Sequence, residues 1–258
     1  MNLCEIIRAK KGLREIDLSL VQELVEQYIK KHNLQIERLS PVEQKVIVRD
    51  IRKELRLYTG RFHASSKEKK LQKALEAKEY SFLLAHHTST AERAQIYPQL
   101  QLLYTQLKPK RILDIGSGIN PLAFAQKGQE YFAYDINGTD LEYVRQFARQ
   151  EKINITCIQK DIRTIDNFPP ADIAFLFKVC DILDRKGHKN ATKLIRTLAH
   201  VPLLLVSFAT RSLSGTVFNT VYRRWFERLL HAEGYDYSFF SFPSECFYLA
   251  RKKNAGTG

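Results

Sequence analysis

The sequence predicts an α/β protein in which an all-helical segment precedes a parallel sheet covered by helices on both faces. In the first hundred residues glycine and proline are sparse, and apolar residues recur at intervals near 3.6. From residue 110 onwards short apolar runs alternate with helical segments, which is typical of strands buried on both faces. We therefore expect a helical domain at residues 1–80 and a sheet domain at residues 81–258.

The composition is that of a folded, basic protein. The chain has 258 residues, of which 44% are hydrophobic and 27% charged, an ordinary globular balance. Lys and Arg number 41 against 28 Asp and Glu, which gives a net charge of +13. A field of this sign favours a nucleic-acid partner, although a basic protein without such a partner has the same composition.

Several classes of protein are not indicated by the sequence. The apolar run at 201–208 is too short to span a bilayer, and the N-terminus has no apolar stretch of the signal-peptide kind. The four cysteines are far apart, and the seven histidines show no metal-ligand spacing. We expect a cytoplasmic protein, a monomer, with no membrane contact, no disulfide framework and no metal.

Two of the N-terminal helices have recognisable starts. Asp17 is placed to cap a helix that begins at residue 18, and Pro41 suits the first turn of a helix over 41–58. The second helix carries cations at i, i+3, i+4 and i+7, and more follow. A ridge of cations can meet several phosphates together, so we assign it to RNA binding, with a solvated helix face as the alternative. The residues assigned are Arg49, Arg52, Lys53, Arg56, Lys67 and Lys70.

The second half of the chain alternates strands and helices. Strands are predicted at 111–115, 131–135, 154–158, 172–177 and 203–208. Helices are predicted at 121–127, 139–151, 188–199 and 217–231. An antiparallel pair at 236–241 and 245–251 completes the pattern.

A glycine-containing turn follows the first predicted strand. Gly116 and Gly118 allow the backbone to turn tightly and a ligand to approach closely. Asn120 is expected to cap the next helix, with Pro121 in its first turn. Asp135 ends the second predicted strand, where a carboxylate can accept both hydroxyls of a ribose. The unit therefore predicts a nucleoside-binding site.

The acids around this turn favour S-adenosylmethionine over a dinucleotide. The third glycine of the dinucleotide fingerprint is missing, which argues against an NAD enzyme. Asp114 ends the first strand and suits the ammonium group that S-adenosylmethionine carries. Asp161 follows the third strand and is assigned to the adenine amino group, with an ordinary turn residue as the alternative. The neighbouring Ile136 and Ile162 are assigned to the same cofactor site.

Blocks along the chain resemble a known family. Two are specific: H-x-S-T-x-E-R from His87 to Arg93, and S-F-x-T-R-S-L from Ser207 to Leu213. With L-D-I-G-x-G-x-N-P from Leu113 to Pro121, they are similar to the Arm/Rmt aminoglycoside-resistance methyltransferases; Ala209 stands where that family usually has proline. The resemblance implies a class I (Rossmann-like) methyltransferase sheet. It also implies methylation of a guanine N7 in helix 44, the decoding region of 16S ribosomal RNA, after the helical domain docks on the 30S subunit.

The resemblance also implies that Arg93 grips the carboxylate of the cofactor. Phe177 is our candidate for an aromatic platform under the target base, with core packing as the alternative. Arg211 and Lys178 are candidates for holding the target nucleotide, with ordinary surface charge as the alternative. Guanine N7 carries no proton, so catalysis reduces to positioning and needs no general base.

Two other functions fit the same residues. The enzyme can act on a different RNA, because the fold and the cofactor site do not fix the substrate. Alternatively the chain is a noncatalytic RNA-binding or ribosome-assembly protein with a vestigial pocket, although the intact set of acids and glycines argues against this.

Overall fold

A seven-stranded sheet forms the centre of the protein. The computed structural model describes residues 2–10, 12–59, 65–87, 90–183, 187–211 and 220–253. The strand order is β3-β2-β1-β4-β5-β7-β6, with only β7 and β6 antiparallel to their neighbours. The strands are β1 Arg111–Ile115, β2 Glu130–Asp135, β3 Ile155–Gln159, β4 Ile173–Phe177, β5 Leu203–Ala209, β6 Tyr235–Ser241 and β7 Glu245–Lys252. The predicted parallel sheet and its antiparallel end are confirmed.

Helices precede the sheet and cover both of its faces. The N-terminal ones are α1 Leu3–Arg8, α2 Leu18–Lys31, α3 Pro41–Thr59, α4 Ser65–Glu76, α5 Tyr80–His86 and α6 Tyr97–Leu107. Those between and after strands are α7 Pro121–Phe124, α8 Gly138–Glu151, α9 Val179–Leu183, α10 Lys189–Thr197 and α11 Arg224–Ala232. Short 3-10 helices lie at Ile36–Arg38, Ala91–Ile96 and Ile162–Thr164. Asp17 caps α2 as predicted, accepting from the Ser19 amide at 2.8 Å.

The topology places the predicted site residues along one edge of the sheet. Strands β2 and β4 lie on either side of β1, and both run parallel to it. The chain order therefore reverses at β1, and such switch points are where parallel sheets bind ligands, beyond the carboxyl ends of their strands. Residues that follow β1, β2, β4 and β5 meet at this edge.

Three hydrophobic clusters fill the molecule. One face of the sheet packs on α4 to α8, and the opposite face packs on α9 to α11. Side chains alternate between these two clusters along each strand, as Ile112 and Leu113 do in β1. A third cluster joins α1, α2 and α3. Helix α4 thus packs with the sheet: Leu55 of α3 belongs to the third cluster, and Leu71 of α4 belongs to the sheet cluster. The domain boundary at residue 80 stays a prediction.

The segment before α2 is joined to the loop after β2. The Asp17 amide donates to the Ile136 carbonyl at 2.9 Å, and the Gly138 amide donates to the Glu15 carbonyl at 2.8 Å. Gln159 adds a third bond from its Nε2 to the Glu15 carbonyl at 2.6 Å. The side chain of Ile136 packs against the cluster of α1 to α3. The helical region therefore contacts the loop that carries Asp135; we call these contacts the clasp.

Two helices differ from their predicted limits by three residues or more. Helix α7 ends at Phe124 instead of residue 127, because the backbone of Ala125 is extended, with a ψ of 132°. Helix α11 begins at Arg224 instead of residue 217; residues 220–223 are not helical, and 217–219 lie outside the described residues. The Arg223 amide donates to the Tyr248 hydroxyl at 2.8 Å, which holds the chain away from a helical path just before α11.

Candidate active site

The glycine turn lies directly beyond β1, as predicted. Gly116 and Gly118 have φ angles of +67° and +50°, a left-handed conformation that favours glycine. A Cβ atom on Gly116 would lie 2.7 Å from Cγ2 of Val179, the first residue of α9. Both the conformation and the close approach therefore require glycine at position 116.

Asp135 lies beside this turn at the end of β2. Its carboxylate accepts the Gly118 amide and the Asn137 amide, each at 2.8 Å. Burial, together with the nearby carboxylate of Asp140, raises the pKa of Asp135 to about 7. The structure thus brings Asp135 and the glycine turn together as predicted, and it leaves a carboxylate that can accept ligand hydroxyls.

Asp114 is buried at the end of β1. Its Oδ2 accepts from the Tyr131 hydroxyl at 2.7 Å and from the Asn120 amide group at 3.2 Å. Burial raises the pKa of Asp114 to about 6, and the two hydrogen bonds oppose that rise. A carboxylate with this pKa is ionised at neutral pH and suits a cationic ligand group.

The predicted capping role of Asn120 is wrong. Pro121 opens α7 as expected, but the Asn120 side chain makes no cap hydrogen bond to that helix. Its Nδ2 donates to Asp114, and its Oδ1 accepts from the Tyr97 hydroxyl at 2.9 Å. Both ends of the amide are used by partners outside α7, six and 23 positions away in sequence, so the side chain does not cap the helix.

Arg93 is buried against the last strand of the sheet. Its guanidinium makes an ion pair with Glu245, at 2.8 Å from Nη2 and 3.1 Å from Nε, and lies 4.6 Å above the ring of Phe177. The predicted grip of Arg93 on a cofactor carboxylate stays a prediction, because the described partner is Glu245. The acid at the head of the apolar strand β7 is visible in the sequence, but nothing there identifies Arg93 as its partner.

Lys178 joins the same group of charges. It follows β4 with a φ of +60°, and its Nζ lies 2.5 Å from Glu92 and 3.7 Å from Glu245. The Ser207 hydroxyl, at the end of β5, also donates to Glu245. Glu245, which is fully buried, thus accepts hydrogen bonds from Arg93 and Ser207 and makes a longer ion pair with Lys178.

Phe177 is part of the hydrophobic core. Only 7% of it is exposed, and it stacks on Phe175 with ring centroids 5.2 Å apart. The guanidinium of Arg93 lies over the ring. The structure therefore shows the core packing that was the alternative for Phe177, and a base could stack on this ring only after a neighbour moved.

Asp161 is occupied by a neighbouring arginine. Its carboxylate accepts Arg163 Nε at 3.0 Å and Nη2 at 2.5 Å, and it caps the 3-10 helix through the Arg163 amide. The same guanidinium reaches Glu23 of α2 at 2.8 Å. Ile162, next to Asp161, packs against the cluster on the α9 face of the sheet. The assignment of Asp161 and Ile162 to adenine binding stays a prediction. With the ligand bound, the Asp161 carboxylate would accept hydrogen bonds from both the ligand and Arg163.

Arg211 follows β5 at the same edge of the sheet. Its side chain is exposed, and its Nε donates to the Pro243 carbonyl at 3.2 Å. The residues that complete its motif, Ser212 and Leu213, lie outside the described residues, as do Thr88 and Ser89 of the other motif. Arg211 thus presents a cation at the edge where the predicted cofactor residues lie.

The cations of α3 line a groove of about 680 Å³ between α1 and α3. Arg52 points inward and donates to the carbonyls of Ile7 and Ile6 at 3.1 and 2.5 Å, so it holds α1 in place. Arg49 is 2.9 Å from Asp50. Two further basic residues of this groove were not assigned from the sequence. Lys45 lies on the same helical face, four residues before Arg49, and Lys10 lies just after α1. The lining cations are Lys10, Lys45, Arg49, Arg52, Lys53 and Arg56.

The other two lysines assigned to RNA lie on α4. Lys70 is exposed, and the side chain of Lys67 lies outside the described part of the chain. Within the described ranges no three His, Cys, Asp or Glu side chains are grouped so as to hold a metal ion. No described helix has the length and apolarity needed to cross a membrane.

Comparisons with known proteins identify the family. The profile of the ribosomal RNA methyltransferase family FmrO matches residues 71–246. A 16S rRNA (guanine(1405)-N(7))-methyltransferase of Serratia marcescens is 31% identical over 183 residues, which are 69% of this chain and 72% of that protein. An enzyme of the same name from Frankia casuarinae is 26% identical over 184 residues, 64% of this chain and 61% of that protein.

Solved structures share the whole architecture. The 16S rRNA methylase RmtB superposes with a TM-score of 0.78 at 26% identity, covering 98% of this chain and 99% of that one. The methyltransferase RmtF, solved with S-adenosyl-L-homocysteine, has a TM-score of 0.82 at 21% identity and covers 97% of both chains. The predicted Rossmann-like fold with a helical N-terminal region is confirmed.

The predicted resemblance to the Arm/Rmt enzymes is confirmed by these matches, and so is the prediction of an enzyme that uses S-adenosylmethionine. The family profile covers well over half of the chain, and its match includes every sheet residue of the candidate site from Asp114 to Glu245. The chain belongs to the FmrO family of ribosomal RNA methyltransferases.

Proposed function

We propose that this enzyme methylates N7 of a guanine in helix 44 of 16S ribosomal RNA within the 30S subunit, and that the modification confers aminoglycoside resistance. One observation carries the proposal: two carboxylates, Asp114 and Asp135, flank a left-handed glycine turn at the switch point of the sheet. The names of the Serratia and Frankia relatives support guanine N7 as the target atom. We propose that the enzyme acts as a monomer in the cytoplasm, where ribosomal subunits are found.

The donor set at the sheet edge fits S-adenosylmethionine. Asp114 offers a buried negative charge for the ammonium of the methionine end, and Asp135 offers an acceptor for the ribose hydroxyls. The Gly116 turn has no side chain, so its backbone can be approached closely. When bound, the cofactor supplies an electrophilic methyl group on a sulfonium.

The side chains at this edge suit a target that needs no proton removed. N7 of guanine has an in-plane lone pair and no proton, so the protein must hold and orient the base without a general base. In A-form RNA this atom lies in a groove that side chains reach poorly, and the base has to leave the helix.

Arg211 is the candidate for holding the displaced nucleotide. It is exposed beside the cofactor residues, and its described contact is to a neutral carbonyl, so its charge is available to a phosphate. Lys178 is held between the carboxylates of Glu92 and Glu245. Its charge is therefore better suited to stabilising these acids than to binding RNA directly.

The basic groove supplies a docking surface for ribosomal RNA. Its outward cations lie along α3, which includes Lys45, and at Lys10 just after α1, so they occupy both walls of the groove. Phosphates spaced along an RNA backbone can meet several such cations together and release counterions. Arg52 contributes by fixing α1, which forms the second wall.

Transfer of a labelled methyl group tests the proposal. Purified enzyme is incubated with methyl-labelled S-adenosylmethionine and, separately, 30S subunits, 50S subunits and protein-free 16S RNA. We expect label in the 30S subunit only, and loss of that label in Arg211→Ala with S-adenosylmethionine affinity unchanged. Expression in sensitive bacteria is expected to give resistance to gentamicin and kanamycin.

Label in 50S subunits or in another RNA would instead favour the alternative substrate. Cofactor binding without any transfer would favour a noncatalytic protein. Normal turnover by Arg211→Ala would contradict the part assigned to that residue.

A further inference from the structure

Behind Asp114 lies a chain of buried hydrogen bonds that the reaction described above does not use. The Tyr131 hydroxyl of β2 donates to Asp114 at 2.7 Å, and Asn120 donates to the same oxygen at 3.2 Å. The Tyr97 hydroxyl of α6 donates to the Asn120 oxygen at 2.9 Å. All four side chains are buried, with exposures from 0% to 4%.

The direction of these bonds is fixed by chemistry. An ionised carboxylate can only accept, so Asn120 must present its NH₂ group to Asp114 and its oxygen to Tyr97. Tyr97 therefore holds the amide in the orientation that donates to Asp114. Tyr131 and Asn120 both donate to the carboxylate, which favours its charged form over its protonated form.

We propose that Tyr131, together with Asn120 and Tyr97 behind it, are positioning residues that keep the Asp114 carboxylate charged to receive the ammonium group of S-adenosylmethionine. The inference deepens the proposed function and rests on its assignment of Asp114 to the methionine end of the cofactor. Neither tyrosine touches the ligand in this account, because each acts through Asp114.

The network matters because Asp114 titrates close to neutral pH. Burial raises its pKa to about 6 despite the hydrogen bonds, so little margin separates the charged from the neutral form. Removing one hydrogen bond to the charged form is expected to raise the pKa of Asp114 further, through the neutral range. The charged and titratable groups that face Asp114 are Arg93 of the 3-10 helix, Tyr97 and Tyr104 of α6, and Tyr131 and Asp135 of β2.

The test compares the pH dependence of cofactor binding in the full-length wild type and in Tyr131→Phe. S-adenosylmethionine affinity is measured by calorimetry from pH 5.5 to 8.5. The affinity of the variant is divided by that of the wild type at each pH, which cancels the titration of the ligand. We expect the variant to bind about 2- to 10-fold more weakly at pH 7 and nearly equally at pH 8.5. Tyr97→Phe is expected to shift affinity in the same direction by a smaller factor.

Tyr104→Phe is the matched control. Tyr104 lies on the same helix as Tyr97 and is also buried, but its hydroxyl donates to Gln129 at 2.7 Å and not into the Asp114 network. Its ratio to wild type is expected to stay constant with pH. A second probe, 5′-methylthioadenosine, has the nucleoside but no ammonium, so Tyr131→Phe is expected to bind it as the wild type does.

The outcomes separate this inference from the proposed function. The inference would be overturned if the affinity ratio to wild type did not change with pH in both Tyr131→Phe and Tyr97→Phe. It would also be overturned if Tyr131→Phe lost as much affinity for 5′-methylthioadenosine as for S-adenosylmethionine. If Tyr131→Phe does not fold, the ratio for Tyr97→Phe decides alone. A wild type that binds no S-adenosylmethionine at any pH would overturn the proposed cofactor site itself.

Discussion

The buried charge of Asp114 destabilises the fold that it serves. Its pKa of about 6 in the folded protein is above the ordinary value of an aspartate, so the folded state binds this proton more tightly than the unfolded state. Stability from this group is therefore greatest below pH 4, falls as pH rises towards 6, and stays low above that. The charge is retained where a cationic ligand can use it.

Asp114→Asn is expected to stabilise the protein and weaken the cofactor. The asparagine oxygen can still accept from Tyr131 and Asn120, while the buried charge is removed. We expect a gain of about 1–3 kcal/mol in unfolding free energy at pH 8 and about a third of that gain at pH 4.5, with at least roughly tenfold weaker S-adenosylmethionine binding. Urea unfolding at both pH values checks the gain; a loss of stability at pH 8 would contradict it.

The position of a site residue could be predicted where neighbouring residues in the sequence mark it. Asp114, Gly116, Gly118 and Asp135 lie at the ends of recognisable strands, so their meeting at one edge follows from the topology. The partners of these residues were not predictable. Glu245 is 152 positions from Arg93, and nothing in either segment specifies the other. Asn120 looked like a helix cap because only its neighbours in sequence were visible.

At the scale of elements, the pair of Arg93 and Glu245 joins the 3-10 helix before the sheet to its strand β7. Both side chains are almost fully buried, and breaking such a pair leaves one charge without compensation. Glu245→Ala is therefore expected to lower unfolding stability by about 3–5 kcal/mol.

The double variant Arg93→Met, Glu245→Leu is the control for this prediction. It removes both charges, so it is expected to recover most of the stability while remaining inactive. Denaturant unfolding measures each variant. A double variant no more stable than Glu245→Ala would show that the loss came from packing and not from the unpaired charge.

Gly138→Ala is expected to loosen the clasp. A Cβ atom there would lie 2.9 Å from Gln159 Oε1 and 3.0 Å from the Glu15 carbonyl oxygen. Both groups belong to the clasp, in which the Glu15 carbonyl accepts a hydrogen bond from the Gln159 side chain. We expect a loss of about 1–3 kcal/mol and faster hydrogen exchange at the Asp17 amide. Thr139→Ala, on the exposed side of the same turn, is the control and should leave this exchange unchanged. Protection of Asp17 in Gly138→Ala equal to that in wild type would contradict the prediction.

Elements were predicted well in the sheet and less well at helix ends. Every strand begins and ends within one residue of its predicted limits, because buried strands have a strong apolar signal. The start of α11 follows a hydrogen bond to a tyrosine hydroxyl, and α7 ends where the backbone becomes extended at Ala125. Apolar periodicity reports neither. The clasp was also missed, since it is made largely by backbone groups.

At the scale of the whole molecule, the basic groove and the sheet edge are expected to act on one substrate. Reversing Lys45, Lys53 and Arg56 to Glu leaves Arg52 and α1 in place. We expect weaker 30S binding, with the slope of log affinity against log salt reduced by about 2 to 3, and unchanged S-adenosylmethionine affinity. Binding is measured by filter retention across a salt series.

A matched triple reversal tests whether position or net charge matters. Lys110, Lys127 and Lys152 are exposed and precede β1, β2 and β3, at the edge of the sheet opposite the site. Their reversal changes the net charge equally and is expected to affect 30S binding less. Equal losses from the two triples would make the groove an ordinary solvated surface.

The overall arrangement was predictable as a fold class, and its division into cores was not. Helicity alone assigned α4 to the N-terminal domain, whereas its apolar face packs on the sheet cluster. The stripe on α3 was visible in sequence, but the groove was not, because its second wall comes from α1. Function at this scale therefore depends on packing between segments that the sequence shows only separately.

Chemical mapping of methylated 30S subunits tests the central claim most directly. Methylation at N7 leaves the guanine ring cationic, so borohydride reduction followed by aniline cleaves the RNA at that nucleotide. We predict a single enzyme-dependent cleavage, within helix 44 of 16S RNA, that requires both S-adenosylmethionine and an intact Asp135. Subunits that gain label but show no such cleavage, or a cleavage outside that helix, would contradict the account.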